Sequence, residues 1–144
     1  MTQHSCPLCL YGAGGSTRAL IVYDDEAVLV VPSLHQKRRN HGHCLVITRE
    51  HVPDIYALPD TLAGPVLRAV AAAARATKKA FAADGVSVRQ NNDPAGGQDV
   101  FHVHFHVVPR FAGDDFDDSE YQRLSERTRI EQAEAARRAW RSPV

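Results

Sequence analysis

Residues 17–33, TRALIVYDDEAVLVVPS, hold two β-branched runs separated by Asp24, Asp25 and Glu26. That pattern predicts a β-hairpin with the acidic triplet at its turn. The following LHQKRRNHG, residues 34–42, is polar and basic and reads as a loop. Residues 43–48, HCLVIT, read as a third strand. From 60 to 84 the period changes: Leu62, Val66, Val70 and Ala74 recur at helical spacing in an Ala-rich stretch. Asp60 is placed to cap that helix and Gly85 to end it. A fourth strand is predicted over 86–90, and a fifth over 101–110, FHVHFHVVPR, after the loop NNDPAGGQD. Past AGDDFDD, Ser119 is placed to cap a last helix running to about residue 141. No repeat or linker divides the chain, so residues 1–144 read as one domain. The fold class expected is α+β: a mostly antiparallel five-stranded sheet with one long inserted helix and a C-terminal helix.

The fifth strand carries candidate chemistry. Alternate strand residues share a face, so His102, His104 and His106 project together, with Val103, Phe105 and Val107 on the opposite, buried face. A polar strand face would more simply use Ser or Thr. The outer two histidines would stand roughly 13 Å apart at the backbone, which is awkward for three ligands to one tetrahedral ion with bonds of about 2 Å. One or two of them could bind a metal. The rest suit acid, base or nucleophile work near neutral pH. The preceding loop offers Asn91, Asn92, Gly96, Gly97 and Gln98 as amide donors with close backbone approach, which suits a phosphate beside the imidazoles. Taken alone, it is an ordinary turn.

Composition narrows the classes. Seventeen cations balance seventeen anions, so the one-sided basic footprint of a nucleic-acid binder is missing. No apolar run has the length of a membrane span, and the first residues lack a secretion-signal pattern, so no membrane partner is expected and a cytoplasmic location is. Three cysteines in that setting argue against a disulfide scaffold. Cys44 lies in an apolar strand and reads as a buried small hydrophobe. Cys6 and Cys9 form a C-x-x-C pair followed by Tyr11-Gly-Ala-Gly-Gly, a poor helix start. That context favours a metal knuckle over a redox motif, provided further ligands exist.

Three motifs resemble the histidine triad (HIT) superfamily: H-x-H-x-H followed by Pro-Arg, the strand NHGHCLVITREH, and CPLC near the start, the last resembling its zinc-containing bacterial branch. They fall in the family's order up to about Phe111, with the helix over 119–141 outside. The resemblance implies a HIT-like fold, a homodimer, and a nucleotide hydrolase or nucleotidyl transferase acting on a purine nucleotide-type substrate. The α-phosphate of a nucleoside phosphoramidate or dinucleoside polyphosphate would be attacked, through a nucleotidyl-histidine intermediate. It places the nucleophile at His104, the phosphate or leaving-group contact at His106, the supporting histidine at His43, and phosphate contacts at Asn91, Gly97 and Gln98. It also supplies a closed Cys2His2 set, Cys6, Cys9, His51 and His102, for a structural zinc.

The chain departs from the pattern at three points. Asp99 stands where relatives often carry Ser or Thr. His35 stands where many carry the Asp or Asn that holds ribose hydroxyls. Gln36-Lys37-Arg38-Arg39-Asn40 replaces a Pro-rich stretch. Three adjacent cations are usually a solvated loop, although a cationic rim for extra phosphates is the sharper reading. Trp140 is expected to pack on the core. Two other classes compete: a non-catalytic nucleotide-binding or interaction module, and a hydrolase with an open zinc site.

Overall fold

The computed structural model describes residues 5–141. Strands β1 (Tyr23–Asp24), β2 (Val28–Pro32), β4 (Cys44–Thr48), β5 (Gly85–Arg89) and β6 (His104–Arg110) form one sheet in the order β1-β2-β4-β6-β5. Every pairing in it is antiparallel. Strands β3 (His35–Lys37) and β7 (Tyr121–Arg123) make a separate two-stranded ribbon. Helix α1 (Asp60–Ala80) is inserted before β5, and α2 (Glu126–Arg141) closes the described chain. The expected α+β architecture is therefore present. No described helix is long and apolar enough to cross a membrane.

Period-two patterning gives the sheet two different faces. Val28, Val30, Cys44, Val46 and Val107 turn toward Val66, Val70 and Ala73 of α1 and Ala133 and Ala136 of α2, and make the main core. Phe105 packs there too, half-buried rather than fully enclosed. On the other face Val31, Leu45 and Ile47 join Cys6 and Leu8. Register places Leu45 opposite His106 and Ile47 opposite His104. Both histidines thus belong to the face that the N-terminal knuckle covers.

Several boundaries differ from expectation. Residues Gly15–Leu20 wind as a 3-10 helix, so the first strand shrinks to β1. The Asp25 carboxylate accepts from the Ala27 and Val28 amides at 2.7 and 2.9 Å and builds the turn itself. The basic stretch after residue 34 contains β3 instead of being all loop. Lys37 turns inward and donates to the Phe116 carbonyl, whereas Arg39 stays exposed and pairs with Asp115 at 3.0 Å. Helix α1 has Pro59 at its cap, with Asp60 already in the first turn, and it stops at Ala80. Strand β6 starts at His104, so His102 precedes the ladder.

The last helix starts at Glu126, not near Ser119. The Ser125 hydroxyl accepts from the Thr128 amide at 3.1 Å and supplies the N-cap, while residues 121–123 are drawn into β7. Trp140 packs as expected, stacking on Tyr23 with centroids 4.6 Å apart.

Candidate functional site

The loop ahead of β6 and the N-terminal knuckle meet at His102, which is fully buried. Its Nε2–H donates to the Thr48 carbonyl at 2.7 Å. That bond fixes the tautomer and leaves Nδ1 with its lone pair toward the cysteines. Nδ1 lies 3.4 Å from both Cys6 Sγ and Cys9 Sγ, and His51 Nδ1 lies 3.3 Å from Cys9 Sγ. The four ligand atoms all fall within 4.8 Å of one another. Bonds of about 2.3 Å to sulfur and 2.0 Å to nitrogen at a tetrahedral centre would set sulfur and nitrogen about 3.5 Å apart. The donor set therefore fits a zinc ion, and it is closed. Burial, reinforced by Cys6, raises the Cys9 thiol to about 11. A bound cation would favour its thiolate.

His104 takes its orientation from the same residue. Its Nδ1–H donates to the His102 carbonyl at 2.6 Å. A carbonyl can only accept, so the proton sits on Nδ1 and Nε2 carries the lone pair. His106 Nδ1 lies 3.0 Å from His43 Nε2, which reaches across from the residue preceding β4. His43 is buried, and its pKa is lowered to about 3 by burial first and then by His106 and His104. His106 is lowered to about 4, again by burial first and then by His104. Both rings are thereby neutral at pH 7.

One cleft of about 520 Å³ opens over these rings. His35, His43, Asn91, Gly97, His104 and His106 all line it, so six of the residues marked in the sequence come together. Gln98 stands behind the cleft instead. Its amide donates to the Pro53 and Val100 carbonyls at 2.8 and 3.1 Å, and its carbonyl oxygen accepts from the Asp93 amide at 2.9 Å. The side chain shapes the loop and is not free to meet a phosphate. The loop turns at Gly97, whose φ of +88° suits glycine.

Cleft residues that the sequence did not mark include Leu8, Tyr11, Leu45 and Tyr121. Leu45 was readable from its alternation with His43, two residues before it on the same face of the strand expected over 43–48, whereas Tyr121 sits on a strand of three residues, too short to show a period. Larger concavities of about 820 and 680 Å³ lie along α1. They contain neither histidine nor cysteine, so chemistry rather than size locates the site.

A HIT domain model matches residues 15–113. Protein hit of Bacillus subtilis is 38% identical over 113 residues, which are 78% of this chain and 76% of that protein. An adenylylsulfatase of Arabidopsis thaliana is 32% identical over 108 residues, 75% of this chain and 53% of that one. Among solved structures, a Zn-bound histidine triad family protein from Mycobacterium smegmatis superposes with a TM-score of 0.78 at 30% identity, covering 96% of this chain and 95% of the other. With the alternating histidines, the knuckle and the sheet order agreeing, the chain belongs to the HIT family.

Proposed function

We propose that the protein is a nucleotide hydrolase or nucleotidyl transferase of the cytoplasm that attacks the α-phosphorus of a nucleoside phosphoramidate or dinucleoside polyphosphate. The observation that carries this is the 2.6 Å bond from His104 Nδ1–H to the His102 carbonyl, which leaves a lone pair on Nε2. In the first step Nε2 forms a bond to phosphorus while the bond to the leaving group breaks. In the second, water or another acceptor bonds to phosphorus, the nucleotide departs, and His104 is restored.

The remaining residues support that sequence. His43 Nε2 lies 3.0 Å from His106 Nδ1, and the tautomer in which His43 Nε2–H donates leaves the His106 proton on Nε2, as a donor to a phosphoryl oxygen. Asn91 adds a side-chain donor to the cleft, whereas the Gly97 N–H, read from the resemblance as a phosphate contact, is taken up by the Pro94 carbonyl at 3.0 Å, so Gly97 contributes close backbone approach instead. His35, exposed at its mouth, offers a ring nitrogen to ribose, and Leu8, Tyr11 and Leu45 give an apolar wall for a purine-type base. The Cys6, Cys9, His51 and His102 set fits a structural zinc, whose chemistry is confined to clamping the knuckle against the residue that aims His104. A homodimer belongs to the same reading: β5 ends the sheet order and Val88 on it is 48% exposed.

The test is turnover of a panel of nucleoside phosphoramidates and dinucleoside polyphosphates by wild type and His104→Ala. Wild-type turnover that disappears in the variant is expected. Turnover of nothing by wild type would favour a non-catalytic nucleotide-binding module.

A further inference from the structure

The wall of the cleft beside the nucleophile carries a fixed negative charge that the proposed reaction does not require. Asp99 Oδ1 lies 3.9 Å from His104 Nε2, and the carboxylate is 82% exposed at the cleft surface. Among the described residues, His104 is the one chargeable side chain within ion-pair distance of it. Its backbone is well anchored, because the neighbouring Gln98 side chain is bonded to the Pro53, Val100 and Asp93 backbones. Asp99 is thus a charge on an anchored backbone, with its carboxylate exposed on the cleft beside Nε2.

In-line displacement places the leaving atom on the far side of phosphorus from Nε2, and a change of rotamer carries the exposed Asp99 carboxylate outward from Nε2 toward that position. A further phosphate attached there would bring a second anion against Asp99, and like charges at short range repel. A leaving nitrogen behaves in the opposite way. Its N–H donates to the carboxylate. Once it has taken a proton from solvent hydronium, releasing water, the cationic nitrogen is attracted to Asp99, then departs as a neutral amine with the electron pair of the P–N bond. We infer that Asp99 is the residue that selects amine leaving groups over phosphate leaving groups at this site. The inference rests on the reading that His104 attacks phosphorus.

The test compares two substrates in the full-length protein: adenosine 5′-monophosphate joined through phosphorus to a primary amine, and two adenosines joined by four phosphates. Wild type, Asp99→Asn and the charge-retaining Asp99→Glu are assayed for kcat/KM on both. Removing one charge near a partly screened site is expected to shift each value about tenfold, down for the amide and up for the polyphosphate. Asp99→Glu should keep the wild-type preference, and rising salt should narrow that preference in wild type but not in Asp99→Asn.

A ratio of the two kcat/KM values unchanged in Asp99→Asn would overturn the selection role, and a uniform fall on both substrates would do the same. Covalent nucleotide on His104 is followed by mass spectrometry in the same samples. An adduct with an unmoved ratio sinks the Asp99 inference alone. Absence of adduct and of turnover with both substrates sinks the His104 reading and this inference with it.

Discussion

Replacing Gly42 with Ala tests how the chain delivers His43 to the site. Gly42 has a φ of +92°, and a Cβ built there would lie 2.5 Å from Phe81 Cε2 and 2.8 Å from Cγ. Two penalties follow. An L-residue held in the left-handed region costs about 1–2 kcal/mol. Forcing a methyl group into an occupied space costs about 1–3 kcal/mol more. The ring has little room to yield cheaply, since Phe81 packs against the main core and meets the edge of His41 at 5.7 Å. Backbone movement would also strain the buried bond from the Gly42 amide to Gln36 Oε1, in a network where Gln36 holds the His43 carbonyl and Gln132 of α2.

The expected loss for Gly42→Ala is therefore about 2–5 kcal/mol. Urea unfolding followed by the fluorescence of Trp140 measures it, because that ring stacks on Tyr23 between α2 and β1. A Phe81→Ala background removes the clash and should leave only the backbone part, about 1–2 kcal/mol. A Gly42→Ala protein within about 0.5 kcal/mol of wild type, or the same loss in both backgrounds, would refute the reasoning.

The other predictions concern metal and protons. Wild type is expected to hold one zinc per chain, and Cys9→Ser to hold it much more weakly. A chelator should lower the Tm of wild type and barely move that of Cys9→Ser; equal zinc content in the two proteins would remove the knuckle from the site. Protonation acts on stability through His43 and His106, whose folded values of about 3 and about 4 lie below the ordinary histidine range. In such a case the unfolded chain takes up protons first, so stability is full above about pH 6.5 and is lost as pH falls toward the folded values. Each ring should contribute about 1 kcal/mol of loss between pH 7 and 5.5. His43→Asn, compared with wild type by urea unfolding at both pH values, should show a smaller loss; an identical pH dependence would contradict the assignment.

Much of this site could be read in the sequence because its chemistry is tied to short periods. The alternation of FHVHFHVVPR put His104 and His106 on one face, and β6 keeps them there. The same reasoning placed His102 on the strand, although it precedes the ladder and is held by the Thr48 carbonyl and the knuckle. Alternation describes a strand, not the bend that leads into it. Gln98 reads as a phosphate donor from its neighbours in sequence, yet its amide is held by Val100 of its own loop and by Pro53 of a second loop that folding brings beside it. The pairing of β3 with β7 joins residues far apart in the chain through strands of three residues each. Such pairing is set by tertiary packing and leaves no local pattern. The inward turn of Lys37 depends in the same way on Phe116, whose ring lies 4.1 Å from the ammonium.

The most direct test of the account is to quench a reacting mixture of wild type and adenosine phosphoramidate in base-stable conditions and sequence the modified peptide by mass spectrometry. An adenylyl group is predicted on His104, absent in His104→Ala and still present in Cys44→Ser. Turnover by wild type with the adenylyl group on another residue, or undiminished turnover by His104→Ala, would contradict the claim that the lone pair set by the His102 carbonyl is the nucleophile.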